Sequence, residues 1–169
     1  MGCVLVARLP GIRPVILATG YSRELPGNTH AEANALSKGK ILSAEELSLL
    51  FSTKDLIQYD SLLSHTDVYT TLEPCSIRTS GLRPCADVLV ESKIKRCIIG
   101  AGEPEDFVQC EGAQRLKDAG VEVIWLDGLQ NECLAVARRG HQEVRANYTL
   151  FLPYPKYYQG GQSSTKASV

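Results

Sequence analysis

The chain has 169 residues, of which 44% are hydrophobic and 22% charged, and it carries a net charge of −1. This is ordinary globular usage for one domain large enough to bury a core. The balanced charge argues against a duplex-binding protein, which normally shows a basic face.

The six cysteines, Cys3, Cys75, Cys85, Cys97, Cys110 and Cys133, are spread through core-forming sequence, unlike a small disulfide scaffold. Met1 to Ala7 has no charged leader and too short an apolar run for a signal peptide. Position 6 is Val6 where a myristoylation motif wants Ser or Thr. No apolar run approaches the roughly 20 residues of a membrane span. The expectation is a cytoplasmic protein without nucleic-acid or membrane partners.

In chain order, Val4 to Ala7 reads as a buried strand, broken by Pro10-Gly11 and Arg13-Pro14, and Val15 to Gly20 as its hairpin partner. Pro26 to Thr29 is a loop, and Thr29 is the expected N-cap of a helix beginning near His30. His30 and Glu32 then project near a helix N-terminus. Residues 41–66 read as a helical insertion, with one helix opened by Ser43 and a second over Leu56 to Leu63. Asp67 to Leu72 is a strand ending at Glu73-Pro74, and a loop covers 75–83. Pro84 suits the first turn of the next helix, which places Cys85 where the helix dipole favours a thiolate.

Lys95 to Gly100 is another buried strand, with Cys97 a structural thiol. Gly112 to Ala119 is a helix stopped by Gly120, Val121 to Trp125 a strand, and Leu129 to Arg139 a helix. Strands alternating with helices indicate a layered α/β sheet. The domain is expected over residues 1–150, with the polar, turn-rich residues 151–169 as a flexible C-terminal tail.

Two stretches carry chemistry: His30-Ala31-Glu32, and Glu73-Pro74-Cys75-Ser76 followed by Pro84-Cys85, with nine residues between the cysteines. Zinc takes His nitrogen and Cys thiolate, and a catalytic zinc keeps three protein ligands and one open position. His30, Cys75 and Cys85 are the candidate ligands. Glu32 is the candidate proton shuttle beside a water whose pKa zinc brings to about 7. A lone His-x-Glu or a cysteine pair nine apart is weak alone; the joint pattern is the zinc deaminase signature. His65 and His141 read as surface residues.

At these residues, with Gly20-Tyr21-Ser22-Arg23 leading to Gly27-Asn28-Thr29 before His30, the chain resembles the cytidine-deaminase-like superfamily. More narrowly it resembles the pyrimidine deaminases of riboflavin biosynthesis, and the nine-residue gap, ending in Pro84, looks like their fungal branch. The resemblance covers roughly residues 2–141.

The resemblance implies a three-layer α/β/α fold with a mixed five-stranded sheet. It implies zinc-dependent hydrolysis of the 2-amine of 2,5-diamino-6-(ribitylamino)pyrimidin-4(3H)-one 5′-phosphate. The products would be 5-amino-6-(ribitylamino)uracil 5′-phosphate and ammonia. It also implies a homodimer. Bacterial relatives carry a reductase domain after the deaminase, and with only about thirty residues following here none is expected. The sequence departs from the family in one respect: members normally have a helix and an Asn-Pro-containing loop before the first strand, whereas this chain starts almost at that strand.

Implied substrate contacts are Asn28, Ala31, Arg78, Ser80 and Glu103. Arg78 is favoured over Arg83 for the phosphate, because a guanidinium pairs with phosphate bidentately. Glu103 would accept from an exocyclic amine. Two other readings stay open: a zinc deaminase of nucleosides, nucleobases or transfer RNA, and a non-catalytic zinc-binding module. The first is countered by the long cysteine gap, the second by the intact Glu32.

Overall fold

A computed structural model of the chain describes residues 1–78, 80–102 and 110–139. Five strands form one mixed sheet, β1 (Gly2–Ala7), β2 (Val15–Tyr21), β3 (Thr66–Leu72), β4 (Arg96–Ala101) and β5 (Glu122–Trp125), in the order β2-β1-β3-β4-β5. β1 runs antiparallel to both β2 and β3, while β3, β4 and β5 are parallel. The short Pro- and Gly-containing link makes the β1–β2 hairpin, and the parallel pairs are joined through helices.

Five helices lie between the strands: α1 (Ala31–Lys40), α2 (Ala44–Leu50), α3 (Tyr59–Leu63), α4 (Cys85–Glu91) and α5 (Gly112–Asp118). Alternate positions of the strands face one core: Cys3, Leu5 and Ala7 of β1, Val15 and Leu17 of β2, Val68 of β3, Cys97 and Ile99 of β4. Ala35, Leu36, Leu89, Ala113 and Leu116 from α1, α4 and α5 complete it. Residues 130–139 are also helical. They lie against the opposite face of β4, where a Cβ on Gly100 would meet the Cys133 thiol at 2.4 Å. The result is the three-layer α/β/α arrangement expected from the sequence.

The insertion begins as the sequence suggests. Ser43 and Glu46 form a reciprocal capping box at the start of α2. Leu47, Phe51, Tyr59, Leu62 and Leu63 are buried in the same core as the sheet. The second inserted helix starts at Tyr59 rather than Leu56, which is 68% exposed.

A buried ion-pair network fixes the start of β3. Asp67, with no exposed side-chain surface, accepts from Arg96 at 2.6 and 2.8 Å and from Arg8 at 2.5 Å. Burial pushes its carboxyl up, but the Arg96 and Arg8 hydrogen bonds outweigh it and hold the carboxyl below the usual range.

β2 and β3 both run antiparallel to β1, so their C-terminal ends lie at the same end of the sheet. Residues 22–30 and 73–76 leave the sheet there. α1 docks closely on β2 at that end, since a Cβ on Gly20 would sit 2.2 Å from the Ala31 carbonyl oxygen.

Candidate active site

α1 and α4 start at this end of the sheet. His30, with extended backbone (φ −95°, ψ 154°), is itself the N-cap of α1 and makes no side-chain capping bond. This corrects the expectation that Thr29 caps the helix. The Thr29 hydroxyl instead engages the backbone of Leu25 and receives the Asn34 amide at 3.1 Å. The His30 ring is not free to cap, because its Nδ1 faces the two thiols, 3.5 Å from each Sγ. Cys85 opens α4 after Pro84, and Cys75 lies three residues beyond β3.

The ligand atoms of His30, Cys75 and Cys85 all lie within 4.8 Å of one another, the one such cluster among the described residues. Zn–S near 2.3 Å and Zn–N near 2.1 Å in a tetrahedron place S and N about 3.6 Å apart. The observed S–N distances fit that geometry, and one nitrogen with two sulfurs is a donor set zinc favours.

Proton affinities within the pair diverge. Cys75 is pushed down to about 4 by its hydrogen bond with Cys85, with further help from His30 and from the Cys85 amide, which donates to its sulfur at 3.3 Å. Cys85 is pushed up by the same thiol–thiol bond, by burial and by nearby Glu32. The thiolate therefore falls on Cys75 and not, as the helix position alone suggests, on Cys85. Cys85 is only 2% exposed.

Glu32, in the first turn of α1, is 7% exposed. Its carboxyl is raised, chiefly by burial and further by Cys75, against the lowering effect of its own backbone amide and His30. Its Oε1 lies 3.4 Å from the Thr70 hydroxyl. A raised carboxyl beside a metal-ligand cluster is suited to taking and giving protons near neutral pH.

A cleft at this site is lined by Met1, Ser22, His30, Ala31, Glu32, Thr70, Leu72, Glu73 and Cys75. Of the expected substrate contacts, Ala31 is in this lining. Asn28 is exposed, and its carbonyl receives Arg78 Nη2 at 2.6 Å, tying the 75–83 loop to the residues before His30. Arg83 is engaged by Glu91 through both terminal nitrogens. Ser80 is exposed in the same loop, and Glu103 and His141 lie outside the described residues.

Sequence reasoning missed Ser22 and Thr70. Thr70 was accessible through strand alternation, two residues from core-facing Val68. Ser22 lies in the Gly20-Tyr21-Ser22-Arg23 stretch that carries the resemblance, but nothing in the sequence placed it in the lining of the cleft.

Residues 1–101 match the family described as the cytidine and deoxycytidylate deaminase zinc-binding region. The chain belongs to this deaminase family. Among its relatives, the diaminohydroxyphosphoribosylamino-pyrimidine deaminase of Schizosaccharomyces pombe is 43% identical over 126 residues, 75% of this chain. The riboflavin biosynthesis protein RibD of Actinobacillus pleuropneumoniae is 35% identical over 137 residues, 80% of this chain. The chain spans only 27% and 29% of these two relatives' lengths.

The Aspergillus oryzae Rib2 deaminase, solved in complex with DARIPP, is 30% identical with a TM-score of 0.59. The alignment covers 89% of this deaminase chain and 86% of that one. The likeness to riboflavin-pathway deaminases and the five-stranded α/β fold agree with the sequence reading. Family membership and the His30, Cys75 and Cys85 cluster identify zinc as the cofactor. No described helix is long and apolar enough to cross a membrane.

Proposed function

We propose that the protein hydrolyses the 2-amine of 2,5-diamino-6-(ribitylamino)pyrimidin-4(3H)-one 5′-phosphate, giving 5-amino-6-(ribitylamino)uracil 5′-phosphate and ammonia in riboflavin biosynthesis. The observation that carries this is the convergence of His30, Cys75 and Cys85 beside the buried carboxyl of Glu32, with His30, Glu32 and Cys75 lining one cleft. The riboflavin-pathway relatives supply the substrate class.

His30, Cys75 and Cys85 hold the metal. Bound there, zinc supplies Lewis acidity that brings a water towards deprotonation at neutral pH. Glu32 handles the protons: it takes one from the attacking water and delivers it to the ring nitrogen, then takes the second from the hydroxyl formed on the ring carbon and delivers it to the amine, which leaves as ammonia. Burial raises the proton affinity of the carboxyl above the ordinary carboxylate range, which favours its carrying a proton between steps. Ala31 lines the cleft against the ring.

The phosphate falls to Arg78. Its Nη2 is committed to Asn28, but its Nε is buried without a hydrogen-bond partner. The alternative cation, Arg83, is occupied by Glu91. Asn28 and Ser80 complete the ribityl-phosphate side, and Glu103 receives an exocyclic amine.

The functional unit is residues 1–150, and it acts as a cytoplasmic homodimer. Cys3, Cys75, Cys85, Cys97 and Cys133 form no disulfide among the described residues, which suits a reducing compartment. Ile16, Tyr21 and Leu25, on and beyond edge strand β2, are each more than 40% exposed and offer a surface to a second copy.

The test measures zinc content and ammonia release on one purified sample. About one zinc per chain with ammonia from the ribitylaminopyrimidine phosphate is expected. Ammonia from cytidine or guanine instead would move the substrate, and a folded sample without zinc would overturn the ligand assignment.

A further inference from the structure

We infer that the Ser22 hydroxyl is a specificity contact for the polar edge of the heterocycle, an assignment that rests on the deaminase reading above. Among the described residues, Ser22 Oγ and Arg78 Nε are the two buried side-chain polar atoms that lack a hydrogen-bond partner. Only Ser22 lines the cleft with His30 and Glu32.

Several other polar atoms of that lining are engaged. The Thr70 hydroxyl donates to the Leu72 carbonyl at 2.9 Å, and Glu73 Oε1 accepts from the Ala113 amide at 2.8 Å. His30 Nδ1 and Cys75 Sγ face each other at 3.5 Å. The Ser22 hydroxyl, buried and without a partner, has both its donor and its acceptor uncommitted.

The hydroxyl is presented by a backbone fixed on each side. The Ser22 amide donates to the Met1 carbonyl at 3.0 Å. The preceding Tyr21 carbonyl receives the buried Asn34 amide at 2.8 Å. The following Arg23 amide donates to the Thr29 carbonyl at 2.7 Å, with Arg23 in the left-handed region at φ 64°. A non-glycine residue held at positive φ needs its surroundings to keep it there, and such positions gather at functional sites.

A buried hydroxyl without a partner destabilises a fold. Here a loop held by backbone hydrogen bonds keeps one in a residue that lines the cleft beside His30 and Glu32. A pyrimidinone edge, with its carbonyl oxygen and ring N–H, satisfies both halves of the hydroxyl. A ring with C–H at that edge does not.

The test is Ser22→Ala in the zinc-loaded protein, beside wild type. The hydrogen bond forms with ground state and transition state alike, so KM should rise about three- to tenfold with kcat nearly unchanged. Zinc content should stay the same. Tm should hold or rise, because the substitution removes an unsatisfied group, whereas a residue serving only the scaffold would lower it. Ser22→Thr, which keeps the hydroxyl, should return KM towards wild type. An unchanged KM in Ser22→Ala, or a rise accompanied by lower Tm or lost zinc, overturns the assignment. Wild type that releases no ammonia defeats the deaminase reading itself, and an active wild type with an indifferent Ser22→Ala defeats this inference alone.

Discussion

Replacing Gly112 with alanine should damage the metal site from a residue that carries no functional group. Gly112 opens α5, and a Cβ there would lie 1.7 Å from the carbonyl oxygen of Pro74, immediately before Cys75. The obstructing atom is backbone, and Pro74 is fully buried, so no side chain can swing aside. Either α5 or the 74–75 backbone must move by about 1.7 Å to reach ordinary contact at 3.4 Å.

Three hydrogen bonds cross this contact: Cys110 Sγ to the Pro74 carbonyl at 3.3 Å, the Glu111 amide to Ser76 Oγ at 3.0 Å, and the Ala113 amide to Glu73 Oε1 at 2.8 Å. Overpacking costs about 1–3 kcal/mol, and strained or lost hydrogen bonds add roughly 0.5–1.5 kcal/mol each. A total of about 3–5 kcal/mol corresponds to a Tm lower by roughly 10 °C for a chain of this size. A displacement on the order of 1 Å at Cys75 should also cost about 10²-fold in turnover. Differential scanning calorimetry and zinc transfer to a chromophoric chelator read the two effects. Gly2→Ala is the control, since its nearest neighbour would be 3.9 Å away. A Gly112→Ala protein with wild-type Tm and zinc retention would refute the reasoning.

Glu32→Gln should keep zinc, measured by atomic absorption, and lose about 10²–10⁴-fold in kcat, because it preserves the shape of the residue and removes its proton chemistry. Arg78→Ala should raise KM for the phosphorylated substrate several-fold and leave KM for its dephosphorylated form unchanged; equal effects on both would remove Arg78 from phosphate binding. Zinc uptake by the metal-free protein should release protons, because Cys85 holds one in the empty site, and apparent affinity should rise with pH in competition titrations. Asp67→Asn should cost about 2–4 kcal/mol at neutral pH in urea unfolding. The Asp67 carboxyl is depressed in the fold, so its contribution is present above the ordinary carboxylate pKa near 4 and is lost as pH falls through the folded value. The gap between variant and wild type should therefore close in acid, and a gap independent of pH would contradict the ion-pair account.

The features legible in the sequence have a local period or a local rule. Alternation along Cys3, Leu5 and Ala7, the Ser43–Glu46 box, Pro84 before α4 and Gly120 after α5 each report through neighbours a few residues away. The metal cluster was legible because zinc restricts ligand types so narrowly that His30, Cys75 and Cys85 stand out despite their separation. The remainder depends on contacts between distant segments. The N-cap moved from Thr29 to His30 because the ring turns towards thiols 45 and 55 residues away. Cys85 holds its proton more firmly than Cys75 because the hydrogen bond with Cys75, burial and Glu32 all push it up, against the helix dipole. Ser22, Thr70 and Gly112 acquire significance only once β2, β3 and α5 meet at one end of the sheet.

That end of the sheet explains how a nine-residue gap between the cysteines is compatible with a tight site. Cys75 is not placed by Cys85 through the intervening loop. It is placed by β3, by the Glu73 and Ser76 bonds to the start of α5, and by the Cys85 amide donating to its sulfur. Cys85 in turn is placed by α4, whose second residue Ala86 donates its amide to the Cys75 carbonyl at 3.1 Å. The two ligands are locked backbone to backbone, so the residues between them are released from metal positioning. Ile77 and Leu82 of that stretch are exposed. Substrate selection can thus reside in the 76–83 loop and the 21–29 loop, while the hydrolytic chemistry stays on α1, β3 and α4. That division is the physical basis for reading the metal site from the family and the substrate contacts from this chain's own loops.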